Sequence, residues 1–149
     1  MTRVDFAHGA PDRLKTACQV VHRHYLAGNQ VVAYASDPGQ LKRFDHLLWA
    51  FEPTAFIPHV MDSDESAPAT PVVLTSGSPS QFLDAGQGAQ RWLLNLDTAC
   101  PPDASAFARI LEIVSRHDDD KACARKRWMA YREAGFDLRA HQLDTIHAG

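Results

Sequence analysis

Gln30-Val31-Val32-Ala33-Tyr34-Ala35-Ser36-Asp37-Pro38-Gly39-Gln40 reads as a strand that runs straight into a helix. Its first seven residues form a short, β-branched apolar run without polar alternation, which suits a strand covered on both faces. Asp37 then offers a capping carboxylate, Pro38 fits the first helical position, and Gln40 stands where a capping box reaches back to the cap. A doubly covered strand followed by a helix is the unit from which parallel α/β sheets are built.

The flanking sequence continues the alternation. Upstream of the strand, Pro11 and Asp12 open a segment whose apolar residues Leu14, Ala17, Cys18, Val21, Tyr25 and Leu26 recur at three- and four-residue steps, predicting a helix with one buried face that stops at Gly28. A short apolar stretch, Val4-Asp5-Phe6-Ala7, precedes it. Downstream, Leu41, Phe44, Leu47, Leu48 and Phe51 predict a second helix ending before Pro53, and residues 58–71 turn polar and aperiodic, as a loop does. Residues 71–75 and 91–96 read as buried strands separated by Ser-, Gly- and Gln-rich sequence. Ala106 to Val114 and Lys121 to Ala134 are helical by spacing, Gly135 suits a C-cap, and Phe136 to His141 returns as a last strand. The predicted fold is a small doubly wound, mainly parallel α/β sheet with helices on both faces, Rossmann-like, forming a single domain over 1–149.

Composition narrows the function. A chain of 149 residues with 45% hydrophobic and 22% charged residues matches one ordinary soluble domain. No apolar run approaches the ~20 residues of a membrane span, and the N-terminus lacks the apolar core of a secretion signal, so a cytoplasmic location is expected. The three cysteines, Cys18, Cys100 and Cys123, show neither a disulfide framework nor zinc-ligand spacing. A formal charge of −3 argues against general attraction to nucleic acid phosphates. The turn Ser36-Asp37-Pro38-Gly39-Gln40 puts a carboxylate and a proline where a phosphate needs free N–H groups, and Gly86-Gln87-Gly88 precedes a predicted strand, not a helix. His22 and His24, two apart on a helix, point about 200° from each other and cannot chelate one metal. His46 and His59 have no ligand or nucleophile partner at motif spacing. Neither catalytic residue, cofactor nor metal is expected, and the balance moves toward a binding protein.

Two segments look like binding sites. In Asp118 to Arg132, the residues Lys121, Arg125, Trp128 and Arg132 fall at i, i+4, i+7 and i+11, along one helical stripe. An indole flanked by cations suits a partner presenting carboxylates with an apolar or aromatic side chain, such as an acidic peptide ending in a hydrophobic residue. The same spacing admits a solvated charged face, and Trp128 also belongs to an apolar stripe with Ala124 and Tyr131. In Leu47 to His59, aromatics crowd a helix end and a proline-bounded turn. With Leu48 and Phe51 facing the sheet, Trp49 and Phe56 share either an exposed apolar patch or a small satellite core under the loop.

Together these segments resemble the chi subunit of bacterial DNA polymerase III holoenzyme. Leu48-Trp49 followed by Phe56-Ile57-Pro58-His59 is similar to that family's Leu-Trp, then Phe-x-Pro-His, signature. Residues Arg125 to Phe136, Arg-Lys-Arg-Trp-Met-Ala-Tyr-Arg-Glu-Ala-Gly-Phe, resemble its C-terminal block. Order and spacing extend the likeness from about Cys18 to Leu138. The resemblance implies a non-enzymatic replication adaptor in the clamp-loader assembly, which binds the acidic, Pro-Phe-ended C-terminal tail of single-stranded DNA-binding protein. It places the tail on Lys121, Arg125 and Trp128, with Arg132 on the same stripe and Val114 as apolar wall. It also implies that Trp49 and Phe56, shaped by Pro58 and His59, bind a psi subunit or an alternative helicase partner. Met129 departs from the family pattern, which often has lysine there. Direct binding to nucleic acid or membrane is not expected. The rival readings are a small α/β enzyme clamping an anionic metabolite with Arg125 and Arg132 beside a histidine base, and a direct single-stranded nucleic acid binder using the basic helix and Trp128.

Overall fold

In the computed structural model, which describes residues 2–51, 56–83 and 91–143, the strand β2 (Gln30–Tyr34) leads into the helix α2 (Pro38–Ala50) through Asp37, whose Oδ1 accepts the Gly39 N–H at 2.9 Å. Gln40 does not close the expected capping box. Its side-chain oxygen instead accepts from Arg43, three residues further along the helix, at 3.1 Å. The preceding unit is the strand β1 (Arg3–Ala10) and the helix α1 (Arg13–Leu26), capped by Asp12 through the Lys15 N–H.

Five further strands complete one sheet: β3 (His59–Met61), β4 (Val72–Thr75), β5 (Arg91–Asn95), β6 (Arg109–Ser115) and β7 (Asp137–Gln142). The helix α3 (Asp118–Glu133) joins the last two. The spatial order is β3-β4-β2-β5-β6-β1-β7, and every neighbouring pair is parallel. The expected doubly wound architecture is present, wholly parallel where it was expected to be mainly so.

Three local expectations are corrected. Ala106 to Val114 is not a helix: residues 104–106 form a 3-10 turn, and Arg109–Ser115 is the strand β6, buried on nearly its whole length. A strand covered on both faces loses its period of two, and Ile110, Leu111, Ile113 and Val114 then mimic helical spacing. The polar stretch at 58–71 holds the edge strand β3 and a 3-10 turn at Ala67–Ala69. Residues 76–90 include a 3-10 turn at Pro79–Phe82. Gly86-Gln87-Gly88 and Pro53 lie outside the described residues.

Successive residues of β2 serve opposite faces. On one, Val31 and Ala33 join Leu94, Leu111 and Ile113 beneath Ala17, Cys18 and Val21 of α1 and Leu41, Phe44 and Leu48 of α2. On the other, Val32 and Tyr34 join Leu93, Ile110, Val4 and Phe6 beneath Ala124 and Tyr131 of α3. Among the described residues α3 is thus the one α-helix on its face, and its contact with the sheet decides what that face can bind.

Candidate binding groove and aromatic patch

The local sequence fixes both ends of α3. Asp118, Asp119 and Asp120 fill its first turn, where carboxylates favour the helix dipole. Asp120 Oδ2 also accepts the Ser115 N–H at 2.6 Å, tying the helix start to the end of β6. At the other end Gly135 takes φ +84°, and the Phe136 and Gly135 N–H groups close onto the Tyr131 and Arg132 carbonyls as in a Schellman cap.

Between α3 and the outer part of the sheet runs a groove of about 480 Å³. Phe6 and His8 of β1, Val114 of β6 and Ala140 of β7 line its sheet side. Lys121, Ala124, Arg125, Trp128 and Met129 line its helix side. Trp128 is half-buried and packs edge-on against Phe6, with ring centroids 5.0 Å apart. Lys121, Arg125 and Met129 are exposed. The arrangement offers an apolar slot with two cations at its rim, suited to an apolar side chain flanked by carboxylates. Of the residues singled out from sequence, Lys121, Arg125, Trp128 and Val114 meet in this groove. Arg132 is exposed but does not line it. Phe6, His8 and Ala140 escaped the sequence reading because strand register, not local spacing, brings them in: His8 pairs with both Val114 and Gln142.

Sequence spacing also hid a buried ionic cluster under α3. Arg127, between exposed Lys126 and half-buried Trp128, is 1% exposed, and Glu112 of β6 is fully buried. Glu112 Oε1 accepts from Arg127 Nε at 3.0 Å, and Oε2 accepts from the Tyr131 hydroxyl at 2.7 Å and from Asn95 Nδ2 at 2.8 Å. Arg13 of α1 approaches within 3.7 Å while donating to the carbonyls of Asn95, Leu96, Asp97 and Ile113. Burial pushes the Glu112 carboxyl up against the opposing pull of both guanidiniums and its other donors. Burial, reinforced by the adjacent carboxylate, likewise pushes the Tyr131 hydroxyl up, which keeps it a donor.

The second candidate surface is exposed. Trp49 is 56% and Phe56 65% exposed, their ring centroids 5.7 Å apart, so they form a surface patch and not a satellite core. Pro58 is half-buried in the turn. His59 is buried beneath the patch, its ring 4.6 Å from that of Trp49. Its Nδ1 faces the Ile57 carbonyl at 2.6 Å, and its Nε2 stands 3.1 Å from Asp45 Oδ1, at ion-pair distance but outside hydrogen-bond alignment.

The crevice at the carboxyl ends of β1 and β6, where doubly wound sheets hold nucleotides, is lined by Arg13, Lys15 and Arg43 but also by Asp12, Asp119 and Asp120. The Asp120 carboxylate takes up the Ser115 N–H that a phosphate would seek. His22 and His24 pack on Phe51 and Trp92, respectively. Among the described residues no group of three or more His, Cys, Asp or Glu side chains is placed to hold a metal ion, and no helix is long and apolar enough to cross a membrane.

The family described as DNA polymerase III chi subunit, HolC, matches residues 1–139. The DNA polymerase III subunit chi of Pseudomonas aeruginosa is 35% identical, over 98% of this chain and the whole of that protein. Its counterpart from Escherichia coli is 29% identical over 81% of this chain and 79% of its own length, and that of Haemophilus influenzae 26% identical over 85% of each.

Proposed function

The chain belongs to the family of DNA polymerase III chi subunits, an accessory and not a catalytic part of the replicative polymerase, and from that premise we propose that it links the complex to single-stranded DNA-binding protein by holding that protein's acidic C-terminal tail. The supporting observation is the groove, where Lys121 and Arg125 rim an apolar slot made by Trp128, Phe6 and Val114. The tail's terminal phenylalanine enters against Trp128, and its carboxylates meet Arg125, whose planar fork suits bidentate contact. Lys121 adds a second cation, and Arg132, beyond the groove, contributes only long-range attraction. Met129 supplies apolar wall where a lysine would supply a third charge.

Calorimetric titration with a short acidic peptide ending in Pro-Phe tests this reading. One-site binding is expected, and replacing the terminal phenylalanine by alanine weakens it about 10- to 150-fold, the scale of burying one large apolar side chain. Equal affinity for the two peptides rejects the reading. Single-stranded DNA binding as tightly as the peptide would make the groove a nucleic acid site instead.

The Trp49–Phe56 patch is the surface for a psi-type subunit of the clamp loader or an alternative helicase partner. An exposed tryptophan packed at a tilt against a second exposed aromatic side chain is the kind of anchor such an interface uses. Trp49→Ala is expected to weaken that partner about 30-fold or more, change folding stability by less than about 0.5 kcal/mol and leave tail-peptide affinity unchanged. Loss of both interactions in a folded variant would show one surface, not two.

A further inference from the structure

α3 presents the groove's cations, yet its apolar footing on the sheet is slight: only Ala124 and Tyr131 are buried apolar residues, with Trp128 half-exposed. What fastens it is polar. Glu112 lies on the same face of β6 as Ile110 and Val114, directly under the helix. Its carboxylate takes Arg127 on one oxygen and Tyr131 on the other, two residues one turn apart on α3. Arg127 Nη1 continues to the Thr98 carbonyl at 3.1 Å. Two contacts a turn apart onto one buried group fix both the rotation of a helix about its axis and its slide along the sheet. A rotation of about 20° would shift the helix Cα atoms by about 0.8 Å, and their side chains by more. Lys121, Arg125 and Trp128 occupy the adjoining stripe and move with the helix, whereas Phe6 and Val114 stay with the sheet.

We infer that Glu112, gripped by Arg127 and Tyr131, is the positioning residue that sets the register of α3 and so the spacing of Lys121, Arg125 and Trp128 over the groove floor. The inference rests on the tail-binding reading of the groove. A buried ion pair contributes little net stability compared with well-packed apolar residues of similar volume, so geometric specification is the use that fits its retention here. Glu112 touches no residue of the rim; it acts through Arg127 and Tyr131.

The test is a double-mutant cycle on tail-peptide affinity. Glu112→Gln keeps the size of the side chain and can keep hydrogen bonds, but removes the charge that holds Arg127. In a variant that remains folded by circular dichroism and binds one peptide per chain, affinity is expected to fall about tenfold, while binding at the Trp49 patch changes less than twofold. Arg125→Ala is expected to weaken binding by a clearly smaller factor in the Glu112→Gln background than in the natural protein, because the guanidinium is already misplaced. Unchanged affinity of Glu112→Gln, or multiplicative factors in the cycle, would overturn the inference. Should Glu112→Gln fail to fold, Tyr131→Phe, which removes one hydroxyl, carries the same cycle and the same criteria. Failure of the natural protein to bind the peptide would instead reject the tail-binding reading itself.

Discussion

Arg127→Ala is expected to cost about 3–5 kcal/mol of folding stability, the largest single effect outside the apolar core. The side chain is 1% exposed and its Nε is 3.0 Å from a fully buried carboxylate, so truncation leaves Glu112 charged, dehydrated and short of its closest cation. Arg13, at 3.7 Å and already committed to four carbonyls, replaces little of that contact. Against the roughly 5–15 kcal/mol that holds a typical domain folded, the variant would be marginal. Urea titration measures the loss directly. The sign of its pH dependence follows from Glu112: with Arg127 gone, the native carboxyl lies further above its unfolded value. Stability is then retained in acid, below the ordinary carboxyl range, and lost as pH rises through the native value. The destabilisation should therefore be larger at pH 8 than at pH 5. The triple variant Glu112→Leu/Arg127→Met/Tyr131→Phe should recover most of the loss, because it removes both charges together with the buried hydroxyl that Glu112 accepts from, while Asn95 Nδ2 keeps the Ala99 carbonyl. If the two charges are merely incidental to packing, Arg127→Ala will instead show a loss independent of pH.

The fold was legible wherever one local signal sufficed. Asp37-Pro38 marks the junction of β2 and α2, and Gly135, with its positive φ, marks the end of α3. The strand β6 was misread because burial on both faces erased the alternation that identifies a strand, and β3 because three residues are too few to show a period. The binding groove divides in the same way. Lys121, Arg125 and Trp128 sit on one helix, and helical spacing alone aligns them. Phe6, His8 and Ala140 come from strands far apart in sequence and meet only through β1 pairing with β6 and β7. Arg127 was lost in the run Arg125-Lys126-Arg127, since spacing does not say which of three bases points inward. A signal did exist on the other side of the pair: Glu112 stands in Ile110-Leu111-Glu112-Ile113-Val114, and a carboxylate inside so apolar a segment needs a buried cation.

Arg125→Ala is expected to weaken tail-peptide binding by about 1.5–3 kcal/mol, or roughly 10- to 150-fold, the scale of a hydrogen bond to a charged group. Unlike Arg127, the side chain is exposed at the groove rim, so the substitution should leave stability within about 0.5 kcal/mol and act on binding alone. Charge and shape can be separated by a second substitution. Arg125→Lys keeps the cation but loses the planar fork, so it should recover only part of the affinity if the contact is bidentate and nearly all of it if charge suffices. Salt gives an independent check, since rim contacts between opposite charges are screened. Affinity of the natural protein should fall as ionic strength rises, and that dependence should be shallower in Arg125→Ala. Arg132→Ala is the internal control: it removes the same charge from the same helix but outside the groove, and should change affinity less than about twofold at physiological salt. Equal losses for Arg125→Ala and Arg132→Ala would mean that the tail responds to the general charge of α3, with no directed contact at the slot beside Trp128.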